Sequence, residues 1–298
     1  MEVTSIDERA DARTSTAQGQ DEFRTRLHRM WAEASDGWAE HAEKVDARSA
    51  LLTEKLLTLS APRPGERVLE LACGPGGVGL AAADRVAPDG EVVLSDVAAE
   101  MTAIASARAK ARRLGNVTTR VRDLEQIDEP DRSFDVVLCR EGLMLVPDPP
   151  RAAREIRRVL RPGGRVAVAV WGPRERNPWL GVMFDAVSAQ LGCPVPPTGI
   201  PGPFSLENAD KLAALLADAQ LSDVVVSELP LPLTARSFEE WWTERRALAG
   251  PLTKILASIP EDTIQAIRDH ACDATGPYNS QQGVDFPGVA LLASGRRP

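Results

Sequence analysis

Residues 67–79 read RVLELACGPGGVG, a short apolar run that leads straight into a glycine-rich turn. The run Arg67–Ala72 predicts a buried strand, and from Val78 onwards the apolar residues recur at helical spacing. A strand, a glycine turn and a helix in that order are typical of a nucleotide-cofactor loop, because glycine lets the backbone approach a ligand closely. We expect this stretch to open a cofactor-binding core.

The alternation of strands and helices continues after this stretch. Further strands are predicted at Glu91–Ser95, Val117–Val121, Phe134–Cys139 and Arg165–Trp171. Helices are predicted at Val78–Val86, Ala98–Leu114 and Pro150–Leu160, and the turn Arg161–Gly164 is expected to end the last of them. Nearly continuous apolar strands indicate a parallel sheet that is covered on both faces. We predict a doubly wound, Rossmann-like α/β core over residues 62–172, with its ligand site at the carboxyl ends of the strands.

Three further segments flank this core. Residues 1–21 are polar and lack the apolar stretch of a signal or transit peptide, so we expect a disordered arm there. Residues 22–61 are predicted to form N-terminal helices. Residues 173–298 are predicted to supply an inserted helical cap and two late strands, Val224–Leu231 and Gly288–Ser294, which join the same sheet.

The composition disfavours several classes of protein. With 35 Lys and Arg against 43 Asp and Glu, the 298-residue chain has a formal net charge of −8, which disfavours a nucleic-acid partner. No apolar run approaches the ~18–20 residues of a membrane helix. Cys73, Cys139, Cys193 and Cys272 lack metal-site or disulfide spacing, so we expect no bound metal and reduced thiols in a cytoplasmic protein. A monomer and a homodimer both stay open.

Three acidic residues, each at the end of a predicted strand, indicate which cofactor binds. Glu70 lies beside the glycine loop, where its charge would repel a pyrophosphate but attract the ammonium group of S-adenosylmethionine. Asp96, 22 residues after Gly74, is placed to accept hydrogen bonds from both ribose hydroxyls. Asp123 suits the adenine amino group, with Leu124 beside the ring. The loop also matches the G-x-G-x-x-G fingerprint, so an NAD-dependent oxidoreductase stays open as an alternative.

Five motifs occur in an order that resembles one enzyme family. They are VLELACGPG at 68–76, Asp96, RDL at 122–124, SFDVV at 133–137 and LRPGG at 160–164. Together they resemble the class I S-adenosylmethionine-dependent methyltransferases, and among these the small-molecule branch of ubiquinone and menaquinone biosynthesis. The resemblance implies a seven-stranded sheet with one antiparallel strand at its edge. It also implies S-adenosyl-L-methionine as cofactor and S-adenosyl-L-homocysteine as product.

The resemblance carries over a set of cofactor-binding positions. In the family the strand-one acid and the glycine loop hold the methionine end, and the acids after strands two and three hold ribose and adenine. The residues predicted to bind the cofactor are Glu70, Ala72, Gly74, Gly76, Asp96, Val97, Met101, Asp123, Leu124 and Arg140. Arg140 is included because it follows strand four at the carboxyl edge of the sheet, as does Glu141. Ala72 departs from the pattern, since many members have glycine there.

The reaction implied is in-line methyl transfer to oxygen or carbon of a small apolar or aromatic acceptor. A general base is needed only if the acceptor must lose a proton, so the catalytic residues stay unassigned, with His270, Tyr278 and His41 as candidates. The predicted acceptor pocket contains Glu141, Met144, Trp38 and Trp242. A methyltransferase-fold protein that binds its ligand without turnover is the second alternative.

Overall fold

The computed structural model describes residues 22–298, so the arm predicted at residues 1–21 lies outside the described residues. The helices of the described part are α1 (22–33), α2 (Ser35–Arg48), α3 (Ala50–Ser60), α4 (Gly77–Val86), α5 (Ala99–Ala111), α6 (Pro149–Val159), α7 (Pro178–Leu191), α8 (Ala209–Asp218), α9 (Phe238–Leu248), α10 (Pro251–Ala257) and α11 (Glu261–Ala274). Its strands are β1 (Arg67–Leu71), β2 (Glu91–Asp96), β3 (Val117–Val121), β4 (Phe134–Arg140), β5 (Leu160–Trp171), β6 (Ser222–Pro230), β7 (Leu233–Ala235), β8 (Asn279–Ser280), β9 (Gly283–Phe286) and β10 (Val289–Arg296). None of these helices is long and apolar enough to cross a membrane.

Seven strands form one sheet in the order β3-β2-β1-β4-β5-β10-β6. Strands β1 to β5 run parallel around β1, whose Val68 pairs with Val92 on one side and with Val136 on the other. The chain first winds from β1 to β3 and then from β4 to β5 in the opposite direction. Because such crossovers are right-handed, α4 and α5 cover one face of the sheet and α6 covers the other. The doubly wound, Rossmann-like fold predicted from the sequence is confirmed.

The C-terminal part of the sheet corrects one expectation. Strands β6 and β10 join the sheet as predicted, but β10 runs antiparallel to both of its neighbours, β5 and β6. The antiparallel strand therefore lies one place inside the edge, and the expected antiparallel edge strand is wrong. Residues 289–293 of β10 are apolar and buried, as is typical of an interior strand, whereas β6 leaves Val225 exposed at the edge of the sheet.

Two local features also differ from the predictions. The turn Arg161–Gly164 does follow α6, but it lies inside β5 as an irregularity, where the pairing with β4 shifts between Phe134 and Val136. In addition, β7, β9 and β8 form a separate three-stranded sheet that the sequence did not predict. Each of these strands has four residues or fewer, which is too short for an alternating pattern to stand out.

The cap over the sheet has an aromatic centre. The indole N–H of Trp241 on α9 donates to the carbonyl oxygen of Trp179 on α7 (3.0 Å), and the Trp241 ring packs against Phe286 (centroids 5.4 Å apart). Trp242 stacks on Phe238 with the ring centroids 6.2 Å apart. Both tryptophans are buried, at 1% and 4% exposure. Both tryptophans therefore pack among aromatic side chains, and the role of Trp242 in the acceptor pocket stays a prediction.

Candidate active site

The loop after β1 turns through left-handed backbone at three residues. These are Ala72 (φ 49°), Gly74 (φ 50°) and Gly76 (φ 89°), the last of which is the N-cap of α4. Ala72 is strained there, because a left-handed conformation costs a non-glycine residue roughly 1–2 kcal/mol. A Cβ added to Gly74 would meet no atom within 4 Å. The loop therefore presents open backbone at its tip, as a ligand-binding loop requires.

Asp96 ties this loop to the next helix. Its Oδ2 accepts from the backbone N–H of Gly74 (2.9 Å) and its Oδ1 accepts from that of Ala98 (3.0 Å), just before α5. The side chain is buried, at 8% exposure, and burial raises the pKa of its carboxyl group above the usual range. Each carboxylate oxygen has a second lone pair, so Asp96 retains the capacity to accept from ribose hydroxyls.

Glu70 lies deeper than its predicted role suggests. It is 2% exposed, and its Oε2 accepts from the backbone N–H of Gly79 (2.7 Å) in the first turn of α4. Burial raises the pKa of Glu70 to about 7, although the guanidinium of Arg140 acts in the opposite direction. The carboxylate thus meets the positive end of a helix dipole. Its contact with the methionine ammonium stays a prediction.

Burial of Glu70 predicts a pH-dependent stability. Its folded pKa of about 7 exceeds its ordinary value of 4.5, so the folded state binds this proton more tightly than the unfolded state. The native protein should therefore lose stability relative to Glu70→Gln as the pH rises from about 4.5 to about 7, by about 3 kcal/mol. Urea unfolding of both proteins at pH 5 and pH 8 measures this difference. An equal pH response in the two proteins would contradict the assignment.

Asp123 lies under the N-terminal helix α1. Its Oδ1 accepts from the backbone N–H of Glu125 (2.8 Å), while its Oδ2 is 3.4 Å from Nε of Arg24 and 3.6 Å from Nε2 of His28. Burial lowers the pKa of His28, with Asp123 acting in the opposite direction. Leu124, the predicted neighbour of adenine, is buried. Arg24 and His28 could not be predicted as neighbours of Asp123, because no local pattern links them to a loop about 100 residues later.

A second missed group connects α2 to the glycine loop. Arg108 on α5 donates to the carbonyl oxygen of Pro75 (2.8 Å) and to Oδ2 of Asp46 on α2 (2.6 Å). Arg140, predicted to bind the cofactor, is 3.4 Å from Oδ1 of Asp46 and donates to the hydroxyl of Thr53 (2.8 Å). The guanidinium of Arg140 therefore faces α2 and α3. Asp46 links both arginines, and so holds α2 against the loop.

The predicted pocket residue Glu141 follows β4 and has left-handed backbone (φ 60°). Its N–H donates to the carbonyl oxygen of Ala169 in β5 (2.8 Å), and burial raises the pKa of its carboxyl group. Met144 is buried in the following turn, where its Sδ accepts from the N–H of Trp171 (3.4 Å). The structure thus gathers Glu141 and Met144 at the carboxyl ends of β4 and β5.

The three candidate general bases lie on α2, on α11 and in the turn after α11. His270 is exposed on α11, and the Tyr278 ring packs on Phe286 (centroids 4.9 Å apart) in the cap. His41 is half-buried on α2. Val97 and Met101 flank the start of α5, beside Asp96. The cofactor-binding roles of Val97 and Met101 and the catalytic roles of the three candidate bases stay predictions.

The chain is similar in sequence to known methyltransferases. Residues 68–164 match a family model described as a methyltransferase domain. Nocamycin O-methyltransferase of Saccharothrix syringae is 41% identical over 269 residues, covering 83% of this chain and 93% of that protein. The ubiquinone/menaquinone biosynthesis C-methyltransferase of Ectopseudomonas mendocina (strain ymp) is 38% identical over 133 residues, which are 44% of this chain. The match covers 52% of that protein, so the chain spans about half of this quinone-type relative.

Among solved structures, a Haemonchus contortus phosphoethanolamine N-methyltransferase superimposes with a TM-score of 0.52 at 19% identity. The superposition covers 83% of this chain and 53% of that one. That protein was crystallised with phosphomonomethylethanolamine and S-adenosylhomocysteine. At this level of identity the likeness concerns the fold alone.

Proposed function

This chain belongs to the class I S-adenosylmethionine-dependent methyltransferases, and from that premise we propose that it methylates an oxygen atom of a small apolar or aromatic acceptor. The observation that carries the choice of oxygen is the extent of the match to nocamycin O-methyltransferase. Since 83% of the chain is covered, most of the cap is included, whereas the match to the quinone C-methyltransferase covers only 44%. We expect the cap, which lies outside the cofactor-binding core, to contact the acceptor.

The residues of the cofactor loop fit S-adenosylmethionine. The open backbone at Gly74 can approach the ligand, Asp96 retains free lone pairs for the ribose, and Asp123 and Leu124 lie at the end of the adjacent strand. When bound, the cofactor supplies a methyl group activated by the sulfonium charge. The acid at Glu70 beside the loop suits a cation and disfavours a pyrophosphate, so membership of this family replaces the NAD interpretation of the glycine fingerprint.

The protein's own contribution to the reaction is to hold the acceptor in position and to exclude water. The edge-to-face pair Trp171 and Trp179 (centroids 4.7 Å apart) joins the end of β5 to the cap. The buried Met144 accepts from the backbone N–H of Trp171, so apolar side chains lie together at the end of β5. Such a surface holds an apolar acceptor against the carboxyl edge and keeps water out, which favours in-line transfer.

Thermal unfolding with added ligands tests the cofactor assignment. We expect S-adenosylmethionine and S-adenosylhomocysteine to raise the melting temperature, because a ligand at ~100 times its Kd stabilises the folded state by roughly 2.7 kcal/mol. NAD and NADP at the same concentrations serve as controls and should leave the melting temperature unchanged. A shift with NAD alone would overturn the proposal. Release of S-adenosylhomocysteine with a candidate acceptor, measured by mass spectrometry, separates an enzyme from a binding protein without turnover.

A further inference from the structure

Four buried side-chain polar atoms have no hydrogen-bond partner among residues 22–298. One of them, Nε of Arg122 after β3, belongs to a guanidinium that pairs with the carboxylates of Asp128 and Glu129. The other three are Oε1 of Glu141 after β4, Nε of Arg245 on α9 and the indole Nε1 of Trp38 on α2. Buried polar groups are nearly always paired in native proteins, because an unpaired group loses its hydrogen bonds to water without replacement. Three such atoms on three separate elements therefore point to a ligand that supplies their partners.

Glu141 stands directly beside the cofactor loop. The next residue, Gly142, packs so closely on Ala72 that an added Cβ would lie 2.3 Å from the Ala72 Cβ. The left-handed backbone of Glu141 and its N–H bond to Ala169 hold the residue between β1 and β5. Strained backbone of this kind persists where the surrounding structure enforces it, often at a functional site.

Arg245 approaches the end of β5 from the cap. It is 4% exposed, and its guanidinium lies 5.2 Å from the ring centroid of Trp179, which packs on the last residue of β5. Its ion-pair partner Glu244 is shared with Lys44 and Arg48, so Arg245 is only partly neutralised. Glu141 is close enough for its charge to act on Arg245. A partly neutralised, buried guanidinium favours an oxygen that carries negative charge.

The third atom belongs to Trp38 on α2, the helix that packs against the α9 helix of Arg245. Helix α2 meets α9 so closely at Gly37 that an added Cβ would lie 2.2 Å from the carbonyl oxygen of Ala247. Trp38 follows Gly37, and helical spacing places it on the same side as the buried Ala42 and Val45. Its indole N–H is a second unpaired donor, while Glu141 is the one unpaired acceptor of the three atoms.

We propose that the acceptor carries a hydroxyl group with a carbonyl oxygen beside it, and that Glu141 binds the hydroxyl while Arg245 and Trp38 bind the carbonyl oxygen. This inference rests on the proposed function. The hydroxyl proton passes to the Glu141 carboxylate, which becomes a neutral carboxyl group. The hydroxyl oxygen keeps the electron pair of the broken O–H bond and uses it to form the new O–C bond to the transferred methyl group, whose bond to the sulfonium sulfur breaks with its electron pair staying on sulfur. Burial, which raises the pKa of Glu141, makes this carboxylate a stronger base.

Isothermal titration calorimetry on the full chain saturated with S-adenosylhomocysteine tests the proposal with two isomeric probes. 2′-Hydroxyacetophenone has its hydroxyl beside the carbonyl, whereas 4′-hydroxyacetophenone has the same atoms with the two groups far apart. We expect the 2′ isomer to bind at least about ten-fold more tightly. Arg245→Met and Glu141→Gln should each remove this preference, and Arg245→Lys should restore part of it. Arg246→Met, which removes a half-buried charge from the same helix, should leave the preference unchanged.

The outcomes separate this inference from the proposed function. Equal affinity for the two isomers overturns it, and so does the absence of binding by either isomer at millimolar concentration. A preference that survives both Arg245→Met and Glu141→Gln also overturns it. Binding of S-adenosylhomocysteine to each variant shows that the variant is folded. If the unaltered protein does not bind S-adenosylhomocysteine, the proposed function fails first and this inference fails with it.

Discussion

Asp96→Ala is expected to weaken S-adenosylhomocysteine binding by about 10- to 100-fold. A hydrogen bond to a charged group contributes about 1.5–3 kcal/mol, and about 1.4 kcal/mol corresponds to ten-fold in affinity. The substitution also leaves the N–H groups of Gly74 and Ala98 without their acceptor, so the glycine loop and the start of α5 lose their common anchor. Isothermal titration calorimetry measures the effect directly.

Two further variants make this result specific. Asp96→Asn keeps one acceptor oxygen and should bind with intermediate affinity. Asp89→Ala removes an exposed carboxylate before β2 and should leave the affinity unchanged. An Asp96→Ala protein that is folded and binds with unaltered affinity would refute the ribose assignment.

Gly142→Ala is expected to destabilise the protein by about 1–3 kcal/mol and to abolish tight cofactor binding. The new Cβ would lie 2.3 Å from the Ala72 Cβ and 3.0 Å from Sγ of Cys139, and the Ala72 Cβ is fixed to the backbone and cannot turn away. The segment after β4 must therefore move away from the loop after β1. Urea unfolding gives the change in stability, and calorimetry with S-adenosylhomocysteine gives the change in affinity.

Gly115→Ala is the matched control for this substitution. An added Cβ at Gly115 meets nothing within 4 Å, so the change should have little effect on stability or binding. If the close approach of Gly142 to Ala72 is unimportant, Gly142→Ala will match the unaltered protein in both its urea midpoint and its affinity for S-adenosylhomocysteine. That result would contradict the prediction.

Much of the core could be predicted because its signals are local. The strand Val117–Val121 was predicted with the bounds that the structure has, and β1, β2 and β4 end within one residue of their predicted ends. Buried parallel strands are continuous apolar runs, and the glycines that follow the first of these strands mark the turn at its end. The order of the acids after β1, β2 and β3 follows from the same pattern.

The errors arose where pairing partners lie far apart in sequence. The position of β10 inside the sheet depends on burial by both β5 and β6, which its own residues do not reveal. The contacts of Arg140 with Asp46 and Thr53 were likewise not predicted, because they form only where α2 and α3 pack against the end of β4. Tertiary packing decides such contacts, and periodicity does not report them.

The sequence alone determined that this protein has a strand–glycine–helix cofactor loop in a doubly wound sheet, with Asp96 and Asp123 at its carboxyl edge. Backbone conformation and strand burial are encoded within a few neighbouring residues, so this part of the site can be read locally. Only the tertiary structure brought Arg24 to Glu125 across 101 residues, and Arg48 to Glu244 across 196. Where distant helices dock is decided by the packing of whole surfaces, and that packing determines which side chains reach the acceptor.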